Sequence, residues 1–159
     1  MSTLLEQLIE AKICAALSAV ITARPVVGFW QPAPEGEVKA RPSSCVEVTV
    51  RPRACEGWGS DIRTFRVVIS IQAAGEDDAT GATIPADYAA AVGVLEQWQG
   101  EDNDATATAL SVSGFDAQGF NFSDGGDCGL DPQTAVWFAV LQCEIKGCTV
   151  EVVPEETEG

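Results

Sequence analysis

The sequence predicts an α+β protein: a small mixed, mainly antiparallel β-sheet flanked by an N-terminal helix and a central helix. Three observations predict it. In Arg63–Ala73 the residues Phe65, Val67, Ile69 and Ile71 fall on one face, and Arg66, Ser70 and Gln72 fall on the other, with Val68 as the only break. That period of two marks a half-buried strand. From Pro85 the period changes: Tyr88, Ala91, Val92, Leu95 and Trp98 recur at spacings of three and four, one stripe of a helix. Pro85 suits the first helical turn, and Gly100 is a plausible stop. Near the N-terminus Leu5, Leu8, Ile9, Ile13, Ala16, Leu17 and Val20 form a second such stripe, expected to run to about Ala23, where Pro25 forbids continuation. Thr3 and Glu6 fit a capping box at its start.

A chain of 159 residues with 46% apolar residues has the size and composition of one domain, expected over 1–150, with 151–159 as an acidic tail. The formal net charge is −15, from nine basic and 24 acidic residues. Attraction to nucleic acid phosphates depends on Lys and Arg, so this balance opposes it. It favours solubility, or a passage to which DNA must not stick. There is no histidine. That removes the commonest general base, triad member and zinc ligand, and turns the expectation away from an enzyme. A signal peptide is the rival reading of the N-terminal stripe, but Glu6 and Glu10 against Lys12 give its leading segment the wrong charge.

The remaining elements follow in order. Val26–Pro42 is turn-rich, with Pro32, Pro34, Gly36 and Pro42 as punctuation. Phe29 and Trp30 precede its first turn, and either cover the edge of the core or dock on a neighbouring subunit. Cys45–Arg51 alternates as a strand, with Val46, Val48 and Val50 inward, and Pro52 ends it. The connection Arg53–Asp61 is long and expected to protrude, and Trp58 between two glycines is either a flap over the core or an interface contact. Gly75–Thr83 and Gly100–Thr106 are read as similar acidic loops at the two ends of the central helix. Leu110–Phe115 and Gly119–Phe122 read as short strands around an Asp116–Gln118 turn, or the first is the strand and the second an irregular extension. Ser123–Pro132 reads as a loop. Gln133–Cys148 is the longest apolar stretch, a central strand expected to be covered on both faces. In it Val136, Phe138 and Val140 face one way, and Trp137, Leu141, Cys143 and Ile145 the other.

Few residues nominate chemistry. The six cysteines include no CxxC pair, which gives no spacing support for zinc, and most read as small buried hydrophobes. Cys45 with Cys55, or Cys143 with Cys148, are the candidate neighbours for a disulfide. Asp124–Asp131 invites a calcium reading but lacks the Asp-x-Asp-x-Asp-Gly spacing and a closing Glu. Nucleotide and hydrolase motifs are absent, and a Cys nucleophile without His has no evident activator. No catalytic residue, metal ligand or cofactor is therefore expected.

The order of elements resembles the tail terminator (tail-completion, minor tail) proteins of long-tailed bacteriophages, over about residues 4 to 150. The resemblance is carried by the opening Leu4–Leu8 helix, the Val46–Val50 strand after a Pro-rich loop, the Phe65–Ile71 strand, the Tyr88–Leu95 helix and the closing Trp137–Ile145 strand. The cysteine content and the long acidic loops depart from the family's usual members. The resemblance implies a virion protein assembled in the host cytoplasm. It implies a homo-oligomer, a hexameric ring at the head-proximal end of the tail tube. The ring stops tube growth and offers a surface to a neck or head-completion protein. DNA passes through the lumen without specific binding, and no membrane is involved. Loops 75–83 and 100–106 are candidates to face that channel, and Phe29, Trp30 and Trp58 are candidates for interfaces. Two other readings are another neck or head–tail joining subunit and a secreted, disulfide-stabilised binding module.

Overall fold

The computed structural model describes residues 4–32, 42, 44–52, 54–55, 61–123 and 127–150. Among them are three helices, α1 (Leu5–Ser18), α2 (Ile84–Trp98) and α3 (Asp104–Leu110). There are seven strands: β1 (Val26–Gly28), β2 (Cys45–Val50), β3 (Ala54–Cys55), β4 (Ile62–Ala74), β5 (Phe115–Ser123), β6 (Cys128–Asp131) and β7 (Val136–Thr149). They form one sheet of order β1-β2-β4-β7-β5, with β3 on β4 and β6 on β7. Every pairing is antiparallel except β1 with β2. The α+β class, the mainly antiparallel sheet and the two flanking helices are as the sequence predicts.

The central pair is β4 and β7, in continuous register from Ile62↔Cys148 to Ala74↔Val136. The alternation in β4 sets which face is buried. Phe65, Val67, Ile69 and Ile71 are fully buried, opposite Ile145, Cys143, Leu141 and Ala139. Val46, Val48 and Val50 continue that face across β2. Onto it pack Ile9, Ile13 and Leu17 of α1, and Ala91, Leu95 and Trp98 of α2, as one cluster. Two edge-on ring pairs fill its far side, Phe65–Phe115 at 5.0 Å and Trp98–Phe120 at 5.5 Å between centroids.

The opposite face of the sheet differs from expectation. β7 is central, but it is not covered on both sides. Gln142, Glu144 and Lys146 are exposed, as is Arg66 opposite Glu144, and Val136, Phe138 and Val140 are only half-buried. The apolar run at the start of β7 suggests two covered faces, whereas its second half alternates like any one-sided strand. β7 also constrains its neighbour closely. A Cβ at Gly147 would collide with the Asp116 carbonyl oxygen and the Phe115 ring. Gly147→Ala is therefore expected to force β5 off β7 and destabilise by about 3 kcal/mol, read as a lower urea midpoint.

Several boundaries move. α1 ends at Ser18, not near Ala23. Ile21 then turns into the core while Val20 stays 47% exposed. Its N-cap is Leu4 with no side-chain cap, and Thr3 lies outside the described residues. Val26–Gly28, read as loop, is a strand, as is Cys128–Asp131. Strands of three and four residues are too short for a period to register. Gly100–Thr106 is not simply a loop, because α3 begins at Asp104. Asn103 caps it by accepting from Ala105 N and donating to the Gln97 and Gln99 carbonyls. Leu110 belongs to α3. The two short strands expected around Asp116–Gln118 are one strand, β5, with a bulge at Gln118 between Ala117↔Gly147 and Gly119↔Lys146.

Candidate interaction surfaces

One corner of the fold is built around a buried carboxylate. Glu10 lies on the sheet-facing stripe of α1, three residues before Ile13, and is fully buried. Its Oε1 accepts from Trp30 N at 2.7 Å and from Gln31 Nε2 at 3.2 Å, and its Oε2 accepts from Val50 N at 3.2 Å. The carboxylate thus ties α1 to the end of β2 and to the turn after β1. Gly28 is required beside it, because a Cβ there would overlap Glu10 Oε1 and crowd Gln31. Trp30 is fixed at its other end by Nε1–H donating to the Val50 carbonyl at 2.7 Å. Its indole is half-buried and covers the edge of the sheet. Phe29 packs edge-on against it, 4.9 Å between centroids, and remains 58% exposed. Of the three candidate interface aromatics, the structure brings Phe29 and Trp30 together and gives them different roles. Trp58 lies outside the described residues.

The second polar knot joins α2 to the sheet. Arg24 Nε donates to Asp87 Oδ2 at 2.6 Å, with the side chains 5% and 13% exposed. Its Nη1 donates to the Gln72 carbonyl and its Nη2 to Thr83 Oγ1, both at 2.7 Å. Thr83 in turn donates through N and Oγ1 to Asp78 Oδ2, and Ala82 N donates to Asp78 Oδ1. Those donors favour the ionised carboxylate and lower the Asp78 pKa from 3.8 to about 2. A depressed acid contributes stability above its unfolded pKa and loses it as pH falls through the folded one. The melting-temperature gap between wild type and Asp78→Asn is therefore expected to be full above about pH 4 and to close towards pH 2.

The cysteines are placed against the disulfide candidates. Among the described cysteines, Cys14, Cys45, Cys128, Cys143 and Cys148 take part in no disulfide. Cys143 and Cys148 lie on opposite faces of β7, five residues apart. Cys45 pairs with Gln72 and Cys55 with Arg63, at opposite ends of β4, so a bond between them is out of reach. Burial raises the Cys143 thiol to about 12, and burial together with the Glu10 charge raises Cys14 to about 12. Both are neutral and unreactive. Maleimide labelling of the native protein is expected to modify exposed Cys128 first, with Cys14 and Cys143 reacting only after denaturation.

A groove of about 630 Å³ lies on the uncovered face at the β5 edge. Ile62 and Phe120 are among its lining residues, and Glu101 and Asp102 of the α2–α3 turn form one wall. Gly100, at φ 120°, lets that turn lie against β5, exchanging both backbone hydrogen bonds with Phe120 at 2.9 and 3.0 Å. Asn103 N donates to the Gln118 carbonyl at 3.1 Å and Phe122 N to Gln99 Oε1 at 2.8 Å. The outer edge of β5 is thereby occupied, which protects it from strand addition. In the segment read against calcium, Asp131 Oδ1 accepts from Gln133 N and so serves a turn. Among the described residues there is no group of three potential metal ligands, and no helix long and apolar enough to cross a membrane.

Sequence reasoning missed Glu10, Arg24 and the groove. Glu10 had a signal: with Glu6 it sits on the same stripe as Ile13 and Leu17, a position where a carboxylate must find buried donors. Arg24 had none, since Asp87 is 63 residues away.

No protein-family model and no curated protein matches the chain. Among solved structures, the chain is similar to one from the virion of a native gene transfer agent particle, with a TM-score of 0.53 and 17% identity. The match covers 87% of this chain and 93% of that one. At that identity the likeness is one of fold.

Proposed function

We propose that this chain is a structural virion subunit. In this reading it is a tail terminator, whose ring of six copies caps the head-proximal end of a tail tube and presents a surface to the neck. The observation that carries the reading is the fold shared, over nearly the whole of both chains, with a component of a gene transfer agent virion. The mechanism is geometric. A head-to-tail interface that closes makes a ring, and a ring on the growing end leaves no site for another tube subunit. No catalytic residue and no cofactor enters it. That five of the described cysteines take part in no disulfide favours assembly in a reducing cytoplasm over the secreted, disulfide-stabilised alternative.

The net charge of −15 gains a role if DNA passes through the ring. Fixed carboxylates facing the channel would repel phosphates and keep the passage free. The Gly75–Thr83 turn is the better of the two candidates. Asp78 is held ionised by Thr83 and Ala82, and Asp77 accepts from Ser44 Oγ at 2.6 Å. The Gly100–Thr106 segment instead walls the groove and begins α3. Averaged electron micrographs of the purified protein test the reading. Six-fold rings with an open channel support it, and solid particles without a channel sink it.

A further inference from the structure

We propose that the outer edge of β6 takes up an extended segment of another protein, one in which Lys or Arg alternates with apolar residues. β6 pairs only with β7, so its other side ends the sheet. The register fixes which backbone groups are left over. Val140 N donates to the Asp127 carbonyl at 2.9 Å, which makes Cys128↔Ala139 a non-hydrogen-bonded pair of the ladder. Leu130↔Trp137, two residues on, is another. The N–H and C=O of Cys128 and of Leu130 therefore point away from β7, and among the described residues nothing bonds to them. The β5 edge differs: the turn after α2 covers it through Gly100, Gln99 and Asn103. β6 is left open to strand addition.

The two faces of β6 select what the added strand carries. Cys128 and Leu130 pair with Ala139 and Trp137 and share the helix-bearing face with them. Leu130 is 44% exposed beside Trp137, whose Nε1–H donates to the Ala79 carbonyl at 3.2 Å. An apolar side chain opposite Leu130 covers that surface. The other face presents Asp127 and Asp131 on either side of Gly129. Asp131 is held ionised by the Gln133 amide. No Lys or Arg occurs anywhere from Val67 to Ile145, so no cation close in the chain offsets these carboxylates. A strand whose alternate residues are apolar and cationic satisfies both faces at once. A second β6 does not. Paired antiparallel about Gly129, two copies set Asp127 of each against Asp131 of the other, and like charges directly opposite repel. The segment 151–159 has carboxylates and no cation, so charge excludes it as well. The inference does not depend on the proposed ring.

The probe is a capped hexapeptide of alternating Val and Lys, titrated calorimetrically into the wild-type protein at low salt. Saturable binding is expected, with the Cys128 and Leu130 amides gaining hydrogen-exchange protection in the complex. Methylating the Val amide nitrogens, which face β6, should weaken binding by about tenfold or more, because the charges stay and the backbone donors go. Leu130→Pro should do the same. It removes an N–H that the β6–β7 ladder does not use, the kind of edge position where proline is tolerated, so thermal unfolding should stay close to wild type. If that variant does not fold, the methylated peptide on the wild-type protein decides alone. Asp127→Lys should weaken binding by about fivefold, and a Val–Glu peptide should not bind. No binding at millimolar peptide, equal binding of the methylated peptide, or a folded Leu130→Pro that binds as wild type does overturns the inference. Dimers of the free protein that Leu130→Pro disperses would give the edge to a second copy and overturn the cationic partner. Six-fold rings that ignore the peptide would remove this contact and leave the proposed function, whereas a monomer that binds it as described keeps the contact alone.

Discussion

Glu10→Ala is expected to destabilise the protein by about 4 kcal/mol. The substitution leaves Trp30 N and the buried Val50 N without their acceptor and opens a small void under α1. Each hydrogen bond to a charged group contributes about 1.5–3 kcal/mol, and an orphaned buried donor costs a further 1–3. The terms overlap, which is why the total falls below their sum. Thermal unfolding should shift by about 10 °C or more for a chain of this length. Hydrogen exchange reports the mechanism. The Val50 and Trp30 amides should lose protection ahead of the β4 and β7 amides. A loss below about 1 kcal/mol with both amides still protected would show that the carboxylate does not hold this corner.

Arg24→Met is expected to cost about 3 kcal/mol. The ion pair with Asp87 is largely buried, and removing one partner leaves the other charge uncompensated. The Gln72 carbonyl and the Thr83 hydroxyl lose a donor at the same time. The cost arises mostly from those stranded groups, so Arg24→Met/Asp87→Leu should recover part of it. A double-mutant cycle by urea unfolding measures the coupling. Additive losses from the two single variants would mean that the pair is not coupled. Arg24 fastens the segment after α1 to the start of α2, so its loss should also loosen the Gly75–Thr83 turn.

What could be read from the sequence follows from how many residues repeat a pattern. β4 and α2 carry seven and five positions in register with their periods, and the structure places their inward residues as expected. The later half of β7 is equally plain. Its first half misled, because an apolar run does not say whether the second face is covered or merely half-buried. α3 reads DATATAL, with two β-branched residues and no stripe. It exists because Asn103 caps it and Thr106 Oγ1 donates to the Trp98 carbonyl at 2.6 Å, which are contacts rather than propensities. The candidate site was legible only in part. Phe29 and Trp30 stand out as aromatics before a turn, but their division into exposed ring and buried anchor depends on Glu10, twenty residues earlier. The groove is assembled from β4, β5, β7 and the turn after α2, elements spread over more than eighty residues of chain. No local pattern encodes it.

The mass of the protein in solution tests the central claim most directly. Light scattering across a wide concentration range, with and without magnesium to screen the −15 charge, separates the possibilities. A ring subunit predicts a species of six copies that persists on dilution. A stable dimer or tetramer, unchanged by magnesium and by concentration, would contradict it.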